Sequence, residues 1–240
     1  MGLLVEQKQV VVPGTELAEG LDFVPSSGTY RLGEKIYASK LGLVNINKNV
    51  IKIVPLSGKY FPKEGDVVIG RIIDINQRGW VVDINCPYDA MMTLRDVTND
   101  YVSREEDLTK YLKIDDWVLA KITRVTSTLL VDLTMKDKEN DLRKLSDGRI
   151  IEFNPHKIPR IIGKQGSMIN TIKKHLKLKF YVGLNGLIWF NGEVKEELLF
   201  MKVVEMVDKY SHLSGLTERV DEFLTKAKEW DVKEIINYDV

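Results

Sequence analysis

The chain has 240 residues, and its 35 Lys plus Arg are balanced by 35 Asp plus Glu, so room for roughly one to three domains comes with no global polycation to attract nucleic acid. Any such binding has to come from local patches. The single cysteine, Cys86, excludes an internal disulfide framework and every multi-cysteine zinc site, and suits a reducing compartment.

The start, Met1 to Glu6, has no basic n-region and no long apolar run, and Gly2 is not followed by the Ser or Thr of a myristoylation signal. No stretch approaches about 18 uninterrupted apolar residues. The expectation is a soluble, cytoplasmic protein without membrane contact. Residues 1–60 alternate short apolar runs with turns. Gln9 to Val12 ends at Pro13-Gly14, Thr29 to Arg31 follows Ser26-Ser27-Gly28, Ile36 to Ser39 stops before Leu41-Gly42, and Val50 to Val54 stops at Pro55. This spacing predicts a small antiparallel β-rich domain with a scaffolding or docking role.

Tyr60 to Asp66 is a turn cluster. Beyond it, residues 61–135 carry five apolar runs, Val67 to Ile75, Gly79 to Ile84, Ala90 to Leu94, Trp117 to Ile122 and Leu129 to Leu133, with a polar, partly helical insert over Val102 to Tyr111. Five strands interrupted after the third predict an OB-type barrel. Residues 136–147 read as a charged connector, helical from Lys136 to Lys144.

From Gly148 the pattern becomes mixed. A strand over Arg149 to Phe153, helices over Pro159 to Ile162 and Gly166 to His175, strands over Lys177 to Val182 and Leu187 to Phe190, and a long helix over Glu193 to Tyr210 give the order β-α-α-β-β-α in residues 148–212. Asn185-Gly186 predicts a primed hairpin turn. Leu198, Met201, Val204 and Val207 mark the apolar side of the long helix. Residues 213–240 form a helical extension, helical over Glu218 to Lys228. From Glu205 to Val240 there are nine Asp or Glu against five Lys or Arg.

The chemistry concentrates in Arg160-Ile161-Ile162-Gly163-Lys164-Gln165-Gly166. Two glycines three apart are by themselves an ordinary interhelical turn. Here a helix follows them, and its free N-terminal N–H groups suit an anion. From Asn154 to Val182 there are seven Lys or Arg and no acid. A phosphate backbone is the ligand this pattern fits. The candidates are Arg160, Ile162, Gly163, Lys164, Gln165, Gly166, Lys173 and Lys174, although the last two also read as a solvated helix face. In the barrel, Arg71, Arg78, Arg95, Lys121 and Arg124 are candidate phosphate contacts or solvated strand edges. Trp80 alternates with Val82 and Ile84 and belongs in the core.

Enzymatic patterns are weak. His156, His175 and His212 make no metal-ligand spacing and read as surface or loop residues. Cys86, before Pro87 in a turn, reads as a buried or half-buried inert thiol. Asp66, Asp74 and Asp83 suggest a two-metal carboxylate set but fit solvated positions better. There is no phosphate-binding Walker loop and no dinucleotide fingerprint. The expectation is no catalytic residue, no metal and no cofactor.

Ile161-Ile162-Gly163-Lys164-Gln165-Gly166 with Ile169 resembles the core of the KH domain, whose loop clamps single-stranded RNA backbone. Gly65 to Ile72 and Gly79 to Ile84 resemble the S-one type OB-fold. Arg78 and Val81 stand where that module places base-stacking aromatics, and Thr93 where it often has His. Together with Val12 to Thr15, Gly28-Thr29-Tyr30, Ala38 to Gly42 and Pro55 to Asp66, these segments make the chain similar to the KH-type RNA-binding cap subunits of the archaeal exosome. Gly183-Leu184-Asn185-Gly186 matches a G-x-N-G signature of those subunits, where Gly183, Asn185 and Gly186 form a structural turn serving domain packing.

The resemblance implies three copies on a hexameric ring of phosphorolytic RNase subunits, docked through their N-terminal domains and possible to mix with a zinc-ribbon cap subunit. It implies capture of single-stranded, A-rich RNA 3′ ends for degradation or tailing. Two other readings stay open: a translation- or ribosome-associated RNA-binding factor, and a self-sufficient nuclease.

Overall fold

The structure, a computed structural model, describes residues 2–98, 107–137, 140–211, 213 and 215–238. They form two compact units that meet in sequence between Gly58 and Lys59.

The first unit holds β1 (Val10–Val11), β2 (Glu16–Glu19), β3 (Val24–Pro25), β4 (Thr29–Leu32), β5 (Lys35–Ala38), β6 (Gly42–Asn47) and β7 (Val50–Pro55). They make two sheets, β1-β6-β7-β3 and β2-β5-β4. Strand alternation turns Leu17, Ile36, Val44, Ile51 and Ile53 into one small core. All pairs are antiparallel except β3 with β7, which is parallel. Strands β2, β3 and β6 lie outside the apolar runs of the sequence. Glu16-Leu17-Ala18-Glu19 owes its strand to pairing with β5, not to its own propensity.

The second unit begins with β8 (Val67–Asn76), β9 (Gly79–Asp83), β10 (Ala90–Met92), α1 (Leu94–Val97), β11 (Trp117–Val125), β12 (Val131–Thr134) and β13 (Arg143–Leu145). Strand order β12-β10-β9-β8-β11 closes through β12 against β11, giving the expected five-stranded barrel. Its interior holds Val68, Ile72, Trp80, Val82, Val118, Ile122 and Leu133. Trp80 is fully buried and its indole N–H donates to the Leu112 carbonyl at 3.0 Å, which settles it as a core residue. Residues 102–106 of the expected polar insert lie outside the described residues. Leu108–Lys110 is a single 3₁₀ turn, with the Asp107 carboxylate accepting from the Thr109 N–H at 3.0 Å.

The connector is not a helix where it is described past residue 140. Its end is β13, which pairs with the free edge of β11, Leu119 opposite Arg143 and Trp117 opposite Leu145. Leu145 there packs with Ile69, Leu119, Leu187 and Trp189. The charged pattern of 136–144 suggested a solvated helix because an open sheet edge is invisible in sequence.

Next come β14 (Arg149–Glu152), α2 (Ile158–Ile162), α3 (Ser167–His175), β15 (Lys179–Val182), β16 (Leu187–Asn191), α4 (Val194–Tyr210), α5 (Leu216–Ala227) and α6 (Val232–Asn237). From β14 to α4 the order is β-α-α-β-β-α, on an antiparallel sheet β14-β16-β15. One core contains Ile158, Ile161, Met168, Ile172, Phe190 and Phe200 and continues into Val220, Phe223, Leu224 and Ile235. The C-terminal helices therefore complete this core. The apolar side of α4 is also rotated from the expected one. Leu199, Phe200, Val203, Val204 and Val207 are buried, while Leu198 is half-buried and Met201 is 40% exposed. The helix is covered on two sides, so its buried stripe follows the sheet and α5 together, not a single face.

The β15–β16 hairpin is not closed by a primed turn. Asn185 keeps a negative φ and only Gly186 is left-handed, at +87°, while the Gly186 N–H donates to the Gly183 carbonyl at 3.1 Å. A four-residue turn ending in a left-handed glycine frees the Asn185 side chain to leave the hairpin. It is fully buried against the barrel. Its amide donates to the carbonyls of Ile69 and Ile84 at 2.7 and 2.8 Å, and its oxygen accepts from the Ile69 N–H at 3.2 Å. The carboxamide thus serves β8 as the next rung of the sheet. A Cβ at Gly183 would lie 2.3 Å from Asn185 Oδ1, and one at Gly186 2.4 Å from the Phe153 carbonyl oxygen.

Candidate nucleic-acid interface

The loop between α2 and α3 is built by chain reversal in three residues. Gly163 has φ +75° and ψ 167°, Gln165 has φ +53°, and Gly166 has φ +78°. The glycines do different work. A Cβ on Gly163 would stand 2.6 Å from the Met168 nitrogen, whereas one on Gly166 would meet only Asn170 Nδ2 at 3.9 Å. Gly163 is therefore required by close approach, Gly166 by its backbone angle alone. Gln165 holds a left-handed conformation without being glycine, at a cost of order 1–2 kcal/mol. The result exposes Lys164 and Gln165 beside the start of α3, whose first N–H groups lack intrahelical partners. Ile162 is half-buried and packs against the core beneath, so its role is to seat the loop.

The cations around this loop differ in freedom. Arg160 and Lys164 are exposed and make no ion pair among the described residues. Lys173 is exposed with its ammonium 5.8 Å from the Phe180 ring centre. Lys174 lies 3.7 Å from the Asp221 carboxylate, and Lys157, counted in the acid-free stretch, lies 2.6 Å from Asp208. The stretch has no acid in sequence, yet α4 and α5 return three acids to it in space, the third being Glu196, which accepts from the Lys177 N–H at 3.1 Å. His175 is not a surface residue: its side chain is 5% exposed and Nε2 is 2.9 Å from Asp221 Oδ1. That hydrogen bond, and then the nearby Lys174 charge, hold the Asp221 carboxyl below its ordinary range.

The barrel candidates are dispersed. Arg71 lies 3.9 Å from Asp115 with its guanidinium 6.0 Å from the Trp117 ring centre. Arg78 is in the β8–β9 turn, Arg95 on α1 and Arg124 on β11, all exposed. Lys121 is paired at 2.7 Å with Asp137, the two side chains 29% and 12% exposed. That partly buried pair ties β11 to the segment after β12, which removes Lys121 from the free positive surface.

The carboxylates flagged in the sequence are occupied locally. Asp66 accepts from the Tyr60 hydroxyl at 2.5 Å, so it is not simply solvated, while Asp83 accepts from the Asn85 N–H at 2.8 Å and Asp74 from the Ile75 N–H at 2.9 Å. Burial, with Asp66 beside it, pushes the Tyr60 hydroxyl pKa up. The half-buried Cys86 thiol donates to the Tyr88 carbonyl at 3.0 Å, and burial pushes its pKa up as well. Among the described residues no group of three or more His, Cys, Asp or Glu side chains is placed to hold a metal. No helix of the described residues is long and apolar enough to cross a membrane. His212 lies outside them. The residue that sequence reasoning undervalued is Asn185, read as part of a turn because Asn-Gly is a turn signal.

Comparison with known proteins follows the same division. Residues 8–57 match the family model for the exosome RNA binding protein RRP4 N-terminal domain, and residues 59–124 match that for the RRP4 S1 domain. Exosome complex component Rrp4 of Pyrococcus abyssi is 40% identical over 224 residues, covering 92% of this chain and 84% of that protein. Its counterpart in Methanothermus fervidus is 38% identical over 227 residues, covering 95% and 100%. A crystal structure assigned as an exosome complex RNA-binding protein superimposes with a TM-score of 0.63 at 31% identity, over 71% of this chain and 98% of that one. With near full-length identity of this order and both family models in sequence, the chain belongs to the Rrp4 family.

Proposed function

We propose that this chain is a non-catalytic RNA-binding cap subunit of an exosome, which captures single-stranded 3′ ends and guides them toward a phosphorolytic ring. The observation that carries the reading is the Gly163–Gly166 loop: an exposed Lys164 and Gln165 stand directly before α3, and Arg160 on the preceding α2 is exposed and makes no ion pair among the described residues. Near full-length kinship with proteins named exosome complex component Rrp4 supports the assembly. Arg160, Lys164, Gln165 and Lys173 serve as phosphate and sugar contacts on the loop side. Arg71, Arg78, Arg95 and Arg124 serve on the barrel side, where the RNA passes toward the pore.

Docking falls to the N-terminal unit. Val10, Leu43 and Val54 are register neighbours across β1, β6 and β7, and Val10 and Val54 are 57% and 44% exposed. An apolar strip of this kind suits burial against a protein. Three copies per ring, shared with a zinc-ribbon cap subunit, let individually weak contacts add through effective concentration. An A-rich preference and a cytoplasmic location complete the proposal.

The test is fluorescence anisotropy of a labelled single-stranded RNA over a salt series. Lys164→Asp with Gln165→Asp should weaken binding and flatten the dependence on salt, whose slope is about 0.7 per phosphate contacted on a single strand. Unchanged affinity and slope would remove the loop from the interface. A pull-down with mass spectrometry should recover phosphorolytic ring subunits. RNA decay by the purified chain alone would refute the non-catalytic assignment.

A further inference from the structure

A second cleft lies away from the Gly163–Gly166 loop, where the barrel meets the outer face of the β14-β16-β15 sheet. It has a volume of about 540 Å³ and is lined by Arg143 and Lys144 of β13, Lys177 just before β15, Lys179 at its start, and Tyr181 and Trp189. That volume falls within the roughly 300–1,000 Å³ of ligand-sized clefts. It exists only because β13 and β15 are both edge strands of their sheets. The apolar contact of Leu145 and Ile69 with Leu187 and Trp189 holds the two sheets together at its base.

Its chemistry is that of a single-strand platform. Tyr181 and Trp189 are register partners, with ring centres 5.7 Å apart and planes 34° from parallel. Trp189 is 6% exposed and lies in the base of the cleft, whereas Tyr181 is half-buried, its hydroxyl donating to Asp141 at 3.3 Å, so it is Tyr181 that presents part of a ring to solvent. Lys177 and Lys179 are exposed and make no ion pair among the described residues. Arg143 and Lys144 are held by Asp141 and Asp116, and Asp147 and Glu193 stand on the rim. Lys177, whose main-chain N–H donates to Glu196 at 3.1 Å, and Lys179 keep ammonium groups without an ion-pair partner, and beside the solvent-facing part of Tyr181 they match a phosphate and a base. An aromatic face with adjacent cations is the arrangement that holds unpaired nucleotides.

The chain connects this cleft to the loop already described. Helix α3 starts at the Gly163–Gly166 loop, and its nine residues rise about 13 Å. Lys173 sits in its last turn, and Lys177 and Lys179 follow directly. From this placement we infer that the cleft between β13 and β15 is a second RNA subsite, which takes the nucleotides lying beyond those held by the loop. The strand then runs from Lys164 past Lys173 to Lys177 and Lys179, and a base rests on Tyr181.

The inference rests on the RNA-binding reading above, and the experiment separates the two. Binding of single-stranded RNA oligonucleotides of increasing length to the full chain is measured for the native protein, for Lys177→Gln with Lys179→Gln, and for Lys164→Asp with Gln165→Asp. Both pairs are exposed, and an unchanged melting temperature verifies folding. Native affinity should keep rising past the roughly four nucleotides that such a loop clamps. The Lys177/Lys179 variant should plateau at that length, bind longer RNA at least fivefold more weakly at about 0.1 M salt, and lose about 1.4 from its salt slope. Photocrosslinking of a thiouridine-bearing RNA should mark the peptide containing Tyr181. If only the loop variant loses affinity and the crosslink is absent, the second subsite is refuted while the loop reading stands. If neither variant changes binding, both fail. Capture of an extended peptide in place of RNA would also overturn it.

Discussion

Replacing Asn185 by Ala tests the account of how the barrel and the β14-β16-β15 sheet become one unit. The side chain is fully buried and makes three hydrogen bonds to the main chain of Ile69 and Ile84, at 2.7 to 3.2 Å. Truncation leaves one N–H and two carbonyl oxygens without those partners. A buried polar group left unsatisfied costs about 1–3 kcal/mol. Entry of a water into the space would relieve one of the three, so the expected loss is about 3–5 kcal/mol. For a unit of this size that corresponds to a fall in melting temperature of roughly 6–20 °C.

Urea unfolding followed by the fluorescence of two single-tryptophan variants is the assay, one keeping Trp80, which reports the barrel core, and one keeping Trp189, which reports the interface. With Asn185 in place both signals should be lost together over residues 59–240, and Asn185→Ala should separate them. Asn185→Asp keeps the shape and the acceptor for Ile69 but turns a donor into a second acceptor facing two carbonyls. It should be at least as damaging at neutral pH and recover partly on acidification, as burial favours the protonated carboxyl. A loss below about 1 kcal/mol with coincident transitions would refute the clamp.

Three further outcomes follow from the geometry. Gly163→Ala should displace the loop and lower RNA affinity tenfold or more, because a main-chain nitrogen 2.6 Å away cannot yield. Gly166→Ala should cost only about 1 kcal/mol of backbone strain, and equal effects of the two in binding and urea titrations would contradict the division of labour. Tyr60 has its pKa raised in the folded state, so its contribution is complete below about 10, the unfolded value, and is lost as pH rises through the higher folded one. Stability of the native protein between pH 9 and 11.5 should therefore fall more steeply than that of Tyr60→Phe, and parallel curves would refute the linkage. Asp221 has its pKa lowered, so its contribution is present above about 4 and lost as pH falls through the folded value. Asp221→Asn should flatten the acid limb of a denaturation curve and, by releasing Lys174, strengthen RNA binding about twofold to fivefold, the range of an exposed ion pair. Unchanged binding would show that the pair does not restrain Lys174.

Much of the architecture was legible because it is written in local patterns. Period-two runs and turn residues located the barrel strands, and the helix-glycine-helix stretch located the loop, since backbone angles at Gly163 and Gly166 depend on residues a few positions away. Segments without a local signal were missed or misread. Strand β13 forms because β11 has an open edge, α4 buries the side that two neighbours cover, and α6 completes a core assembled elsewhere. Charge followed the same rule. The sequence alone set where cations are dense and acids absent, between Asn154 and Val182. Only the tertiary structure decided which of those cations are free, because Asp208 and Asp221 reach Lys157 and Lys174 from other elements, as Asp137 reaches Lys121 in the barrel from beyond a strand. Coulomb energy depends on separation in space, which contiguity in sequence does not report. Asn185 makes the same point from the other side: its turn is local, but its three hydrogen bonds exist only once the barrel is folded against it.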